Sequence, residues 1–428
     1  MSFYSDGNVA TKYLDPKSFI DGARCTFDLG NRTHMAILPN MRLINVGIAS
    51  TNVNREYNPL IGVEGLIKNI RLLDGRTELT KTSNYQLYKG FLNSNQKNAK
   101  SISMRNHRNL AQLGVEMDNT TNLLNRNVAP KGTNTSNAQS GAAATSTGEI
   151  DLREALPMLN AIPHLPTDIF SNLKLEIEFT NDVNFWANDV STNVGAMVVP
   201  TLVVDVLDNP EIVRKMNAAL SSAQWIEVEH DQVHFPVSAN NGAAGDLNNT
   251  QEINSILDGF KNKRVERMVQ VKEDPVKANY RGIGGGNDYD GLGWAGSLAI
   301  REEKIQVRIN GKNLLPRQGL VGNMERLGML VDTYGDFTAY PGLNTRGIDT
   351  GLVKGDSAAD GRKYMGQLSY NSWYIGDKVF NLQITHSRKN EVRAAQPKPS
   401  TNALNVHYFG EVKKGLILGK NNYNIVYL

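Results

Sequence analysis

The run L-K-L-E-I-E-F, Leu173–Phe179, alternates without a fault: Leu173, Leu175, Ile177 and Phe179 point one way, Lys174, Glu176 and Glu178 the other. A period of two with the charges on one side marks a strand packed on one face and wetted on the other. Such a strand needs antiparallel neighbours and a second layer to cover its apolar face. The residues before it, from Glu149, carry a short helical turn and are then broken by Pro157, Pro163 and Pro166. Each proline removes a backbone donor and clashes with the preceding turn, so no long helix survives there.

Further strands follow from the same pattern. Met41–Ala49 reads as a strand, as does Leu66–Leu73, which ends in the turn Asp74-Gly75. Ala196–Leu207 is a continuous apolar strand. Lys304–Ile309 alternates with Ile305, Val307 and Ile309 on one face, and Phe380–Thr385 does so with Phe380, Leu382 and Ile384. Strand character resumes at Trp225, and Tyr423–Leu428 closes a sheet. Helices are expected over Glu78–Leu92, Ile102–Leu113 and Glu211–Ser221, the last with Asn209 as cap, Pro210 at the first position and Glu211 facing the positive end of the dipole.

A chain of 428 residues is too long for one ordinary core and suits two domains of about 200 residues each. The boundary falls near residue 208, giving 1–208, an N-terminal arm plus a first β-sandwich, and 209–428, a linker helix plus a second. Long polar excursions interrupt both: 125–148 in the first, 238–250 and 279–296 in the second. They are rich in Gly, Asn, Ser and Thr and lack periodicity, as surface loops do. Each half thus has a strand block, a polar excursion, a short helix and terminal strands. Regular strands with turn signals between them specify an all-β fold with short helices.

Composition excludes several functions. Cys25 is the only cysteine, so an intrachain disulfide and a cysteine zinc site are both ruled out. Net charge is +3 and no Lys/Arg tail stands at either end of this sequence, so a wall-building role without direct genome handling is the expectation. No apolar run reaches the length of a membrane span. The first residues, M-S-F-Y-S-D-G-N, do not read as a secretory signal.

Candidate chemistry is sparse. His230-Asp231-Gln232-Val233-His234 resembles a zinc-protease motif, but W-I-E-V-E-H-D-Q-V-H-F is a strand, and residues four apart on a strand lie about 13 Å from each other. They do not share a metal; a helix is needed for that. Gly282–Asn287 hints at a phosphate loop, yet lacks the spacing of a dinucleotide fingerprint and the Lys-Ser/Thr of a P-loop. Cys25 with His34 lacks the orienting third group of a nucleophilic site. Asp74 is explained by its turn and Asp151 by a helix start; Glu78 and Glu154 add no acid–base spacing. The basic cluster Lys261–Arg267 is interrupted by Glu266 and reads as a solvated or subunit-facing strand rather than a nucleic-acid patch. Trp186, Trp225, Trp294 and Trp373 are dispersed, unlike the clustered aromatics of a sugar site. No catalytic, cofactor-binding or metal-binding residue is assigned.

The Glu149–Asp182 unit resembles the middle of the first jelly roll in double jelly-roll viral major capsid proteins of polinton-like viruses, adintoviruses and virophages. Gly65–Lys81, G-L-I-K-N-I-R-L-L-D-G-R-T-E-L-T-K, is similar to the strand–turn–helix near the start of that jelly roll. Ile305–Pro316, Met324–Gly335 and Asn405–Val412 are similar to the second. The resemblance implies two tandem antiparallel jelly-roll sandwiches side by side and no enzymatic activity. It implies a homotrimer acting as a pseudo-hexameric capsomer in an icosahedral DNA-virus shell, assembled inside the host cell, with penton and minor capsid proteins as further partners. The arm Met1–Pro16 is expected to contact neighbouring capsomers or a minor protein. The alternative from another class is a β-sandwich carbohydrate-binding protein, a lectin or fibre head.

Overall fold

The computed structural model describes residues 9–30, 36–49, 55–57, 62–94, 108, 145–180, 186–188, 196–220, 222–235, 250–273, 304–315, 319, 328–329, 332–334, 370–389, 404–419 and 422–428. Eight strands carry the first half: β1 (Val9–Leu14), β2 (Arg24–Asp28), β3 (Arg42–Ala49), β4 (Ile67–Asp74), β5 (Thr77–Thr82), β6 (Thr145–Asp151), β7 (Leu173–Phe179) and β8 (Thr201–Leu207). Eight more carry the second: β9 (Ser222–Phe235), β10 (Thr250–Ile256), β11 (Lys263–Glu273), β12 (Lys304–Ile309), β13 (Lys312–Asn313), β14 (Tyr370–Val379), β15 (Leu382–Lys389) and β16 (Leu404–Leu418). A last strand, β17 (Tyr423–Tyr427), pairs with the end of β16.

The two sets pair in the same order. In the first half the ladders run β1-β8-β3-β6 and β2-β7-β4-β5, all antiparallel. In the second they run β9-β16-β11-β14 and β10-β15-β12-β13, again antiparallel. First strand beside eighth, eighth beside third, third beside sixth; second beside seventh, seventh beside fourth, fourth beside fifth: this is the jelly-roll order, present twice. The alternation of Leu173–Phe179 is borne out in full, with Leu173, Leu175, Ile177 and Phe179 buried under the first core.

The two jelly rolls stand side by side, as expected, and are joined at one edge. Thr82 of β5 pairs in parallel with Val228 of β9, which joins β2-β7-β4-β5 to β9-β16-β11-β14 in one ten-stranded sheet that also includes the short strand Ser18–Ile20 and β17. A parallel joint makes the two halves point the same way. In the second half the turns 257–262, 310–311 and 380–381 all lie at one pole. The strand ends joined by 236–249, 274–303 and 390–403 all lie at the other. Asn262 and Asn310, at φ 65° and 51°, make the tight turns in a left-handed conformation that asparagine tolerates.

Among the described residues, four short helices have both ends defined. α1 (Tyr85–Ser94) follows β5; α2 (Leu152–Ala155) and α3 (Met158–Ala161) flank Pro157; α4 (Pro210–Ala219) links the halves. Asn209 caps α4 as expected, accepting from the Glu211 and Ile212 amides at 3.1 and 3.3 Å. Asp151 caps α2 and also grips the Arg153 guanidinium.

Three expectations need correction. The helix placed at Glu78–Leu92 begins only at Tyr85. Thr77–Thr82 instead returns against β4 as a hairpin, because Gly75 (φ 60°) closes a tight turn and Thr80 and Thr82 suit a strand. The run Ala196–Leu207 is two strands, interrupted at 198–200; Pro200 has no amide to give to a ladder. Phe380 is not in a strand. It sits 57% exposed in the turn between β14 and β15, whose Phe380 and Asn381 amides are held by the Asn310 side chain at 2.8 and 3.2 Å. Of the arm Met1–Pro16, Val9–Leu14 is the edge strand β1. Apart from Arg108, the helix expected at Ile102–Leu113 lies outside the described residues, as do 279–296, most of 125–148 (145–148 belongs to β6) and 238–249 (Thr250 starts β10).

The second core packs Phe260 flat against the backbone of Gly410. A Cβ at Gly410 would come within 2.5 Å of the Phe260 ring. Gly410→Ala is therefore expected to destabilise the fold by about 1–3 kcal/mol through overpacking, measured as a lower urea midpoint at unchanged m-value.

Candidate assembly surfaces and the seam between the halves

The strand W-I-E-V-E-H buries Glu227 and Glu229 on one face and half-buries His230 on the other. Glu227 is fully buried. Its carboxylate accepts from Thr80 Oγ1 at 2.8 Å and the Lys81 amide at 2.6 Å, both on β5, and from Trp225 Nε1 at 2.5 Å; Lys414 Nζ lies 3.7 Å away. Burial raises the Glu227 pKa, and Lys414, the Lys81 amide, Trp225 and Thr80 offset only part of the rise. Two residues on, burial of Glu229 also works against its charge. There Lys263 at 3.3 Å, Lys81 and the Tyr427 hydroxyl outweigh it and hold the pKa below the ordinary value.

On the opposite face of the same sheet, α1 of the first half lies against β16 and β11. Tyr88 packs on Phe409 with ring centroids 5.4 Å apart, and its hydroxyl donates to Glu411 at 3.3 Å. Arg267 Nε reaches the other Glu411 oxygen at 2.5 Å, and the Tyr334 hydroxyl is 3.3 Å from the first. The helix is fixed on its inner side by Lys89, buried between Glu64 and Glu154.

His230 and His407 meet here, Nε2 to Nδ1 at 3.0 Å, with Asn84 of the first half 3.1 Å from His230 Nε2 and Phe409 alongside. Burial, with His407 adding repulsion, pushes the His230 pKa down to about 3. His230 and His234 stand on the strand β9, as expected; His234 contacts Asn405 at 3.1 Å rather than its neighbour on the strand.

The remaining candidates fall into structural roles. Cys25 is fully buried in the first core, its thiol pushed up to about 12. Asp74 accepts from the Asn172 amide and from Tyr423 of β17. Glu78 pairs with Lys81, and Glu154 with Lys89. Within the Lys261–Arg267 cluster, Lys263 pairs with Glu229, Arg264 with Glu266 and Arg267 with Glu411. Trp373 is buried in the second core and Trp225 serves Glu227. His34, Gly282–Asn287, Trp294 and the Trp186 side chain lie outside the described residues. Sequence reasoning missed Glu227, Glu229 and Glu411; in a period-two reading each is an outward charge, and only knowledge that both faces of β9 and β16 are covered would have found them.

A concave surface lies on the outer face of β2-β7-β4-β5. It encloses about 770 Å³ and is lined by Lys68, Arg71, Glu176 and Glu178. Arg71 pairs with Glu176 at 2.6 Å and Lys68 with Glu178 at 3.4 Å. The one aromatic residue lining it, Phe179, is turned into the core.

No protein-family model matches this chain, and no curated protein matches it in sequence. Solved structures do match in shape. PBCV-1 VP54, fitted into a cryo-EM reconstruction of the virophage Sputnik, is 12% identical with a TM-score of 0.55, over 100% of this chain and 99% of that one. A chain of the Sputnik virophage solved by cryo-EM is 11% identical with a TM-score of 0.54, over 98% and 89%. The mavirus major capsid protein is 11% identical with a TM-score of 0.52, over 99% and 90%. At these identities the likeness is one of fold. Together with the doubled strand order, it establishes that the chain is a double jelly roll of the kind seen in these viral capsid structures.

Two outcomes follow for the seam. Lys414→Met leaves Glu227 buried without its cation and is expected to cost about 3 kcal/mol, read by urea denaturation at pH 7. A histidine with a depressed folded pKa contributes stability that is present above its unfolded pKa and is lost as pH falls toward the folded value. The window for His230 therefore runs from about 6.5 down to about 3. At pH 5 the wild type should have lost about 2 kcal/mol to this group relative to pH 7, and His230→Asn should show a shallower loss over the same interval.

Proposed function

We propose that this chain is a structural, non-enzymatic major capsid protein. Three copies form a homotrimer whose six jelly rolls make a pseudo-hexameric capsomer, and capsomers tile an icosahedral DNA-virus shell. The observation that carries this reading is the doubled strand order with both halves pointing the same way, in a fold shared with the mavirus major capsid protein. Two like domains in one chain let threefold symmetry imitate sixfold packing, so each block offers six similar flanks. The chain divides at the Asn209-capped helix α4 into 1–208 and 209–428. It resides in the virion after assembly inside the host cell, with penton and minor capsid proteins completing the shell. The ion-paired Lys261–Arg267 segment supports a wall role rather than genome packaging.

The roomiest concave face among the described residues, that of β2-β7-β4-β5, bears on the sugar-binding alternative. That face offers mutually paired charges and no exposed ring for stacking on a sugar, which supports the capsid reading over it. Light scattering on the purified protein is expected to give a mass near three times the 47.2 kDa chain. Negative-stain images should show pseudo-hexagonal particles. A stable monomer that binds a glycan array would replace this reading with the lectin one.

A further inference from the structure

The first half touches the second through a histidine at two places. At the seam, His230 of β9 has its polar contacts with Asn84, at 3.1 Å, and with His407 of β16, at 3.0 Å. Asn84 lies between β5 and α1 at φ 47°; its amide donates to Asn69 Oδ1 at 3.0 Å, and its carbonyl accepts from Leu87 and Tyr88. At the linker, His164 is buried and its Nε2 lies 2.7 Å from Asn217 Oδ1 of α4. His164 Nδ1 has no partner among the described residues. Burial lowers the pKa of both rings; His407 adds repulsion at His230, while the Asn217 bond and Asp168 offset part of the fall at His164. The charged groups around them are engaged elsewhere. Glu411 is held by Arg267, Tyr88 and Tyr334, Glu229 by Lys263 and Tyr427, and Asp231 by the Gly259 amide. Asp168, beside His164, accepts from Asn217 at 3.0 Å.

We propose that these histidines form an acid-operated lock between the two jelly rolls: proton uptake at His230 and His164 parts the seam and loosens α4, while each jelly roll keeps its own ladders. A charge gained at either ring is costly where it is buried without a counter-charge and cheap once water reaches it, so the proton favours the parted form. The seam carboxylates do not supply this force. Burial raises the Glu227 pKa, so acid favours its closed form. Glu229 is held below the ordinary 4.5 and loses its stabilising charge only beneath that value. Between pH 7 and 5 the opening force at the seam therefore comes from histidine. The lock lies within one chain and does not depend on the capsid reading. In a shell of such chains it would make every subunit respond to an acidic compartment.

The test is deuterium exchange on the full chain, corrected for intrinsic rates. The Lys81 amide is held across the seam by Glu227 and reads its opening. Its protection is expected to fall about 25-fold from pH 7 to pH 5, the share of His230 with a pKa of about 3 when closed and about 6.5 when open. Amides inside β7 and β12 are expected to keep their protection. The double variant His230→Asn/His164→Asn should show no acid response at Lys81. Thr82→Cys/Val228→Cys joins the two register partners of the parallel joint. Its oxidised form should hold the seam shut at pH 5, and reduction should restore the response. An unchanged Lys81 amide in the wild type, or equal loss of protection at Lys81, β7 and β12, overturns the proposal. So does an acid response that survives either the double variant or the oxidised joint.

Discussion

The Glu227 carboxylate holds the two halves of this molecule in register. It is fully buried, and two of its hydrogen bonds come from β5 of the other half while Trp225 and Lys414 approach from its own. Moving a carboxylate out of water is expensive, and the cost is met only where donors are fixed in place. Sliding β5 along β9 would strip away Thr80 and the Lys81 amide together. The single parallel residue pair Thr82–Val228 is a weak ladder by itself. Beside it, Glu227 fixes the register, and α1 on the opposite face presses Tyr88 against Phe409 and Glu411.

From that joint the rest of the architecture follows. Because β5 and β9 run parallel, the two jelly rolls share one up direction instead of facing each other head to tail. Within its own two ladders, each jelly roll leaves its first strand at the end of one and its fifth at the end of the other.

Much of this was legible in the sequence. Leu173–Phe179 declared its buried face because its apolar and charged residues never break step, and Asn209-Pro210-Glu211 declared a helix start because cap, ring and charge each favour that place. The failures have local causes. Glu78–Leu92 carries tyrosines and leucines at helical spacing, but the hairpin turn at Gly75 commits the first residues to β4 before the helix begins. Phe380 keeps step with Leu382 and Ile384, yet the Asn310 side chain pins its amide into a turn. The joint itself was hidden because W-I-E-V-E looks like any half-wet strand. Its polar face is dry only because another part of the chain, far away in sequence, covers it.

The poles of the second jelly roll differ in kind. Its tight turns at 310–311 and 380–381 interlock, with Asn310 reaching the Lys378 carbonyl and the amides of Phe380 and Asn381. The opposite pole receives the ends of every longer connection. Lengthening a connection there leaves each ladder register untouched, whereas adding one residue at the interlocked turns would disturb both at once. Evolutionary drift in such a chain is therefore channelled to a single rim, and two descendants that have lost nearly all sequence kinship there would still share the same floor plan.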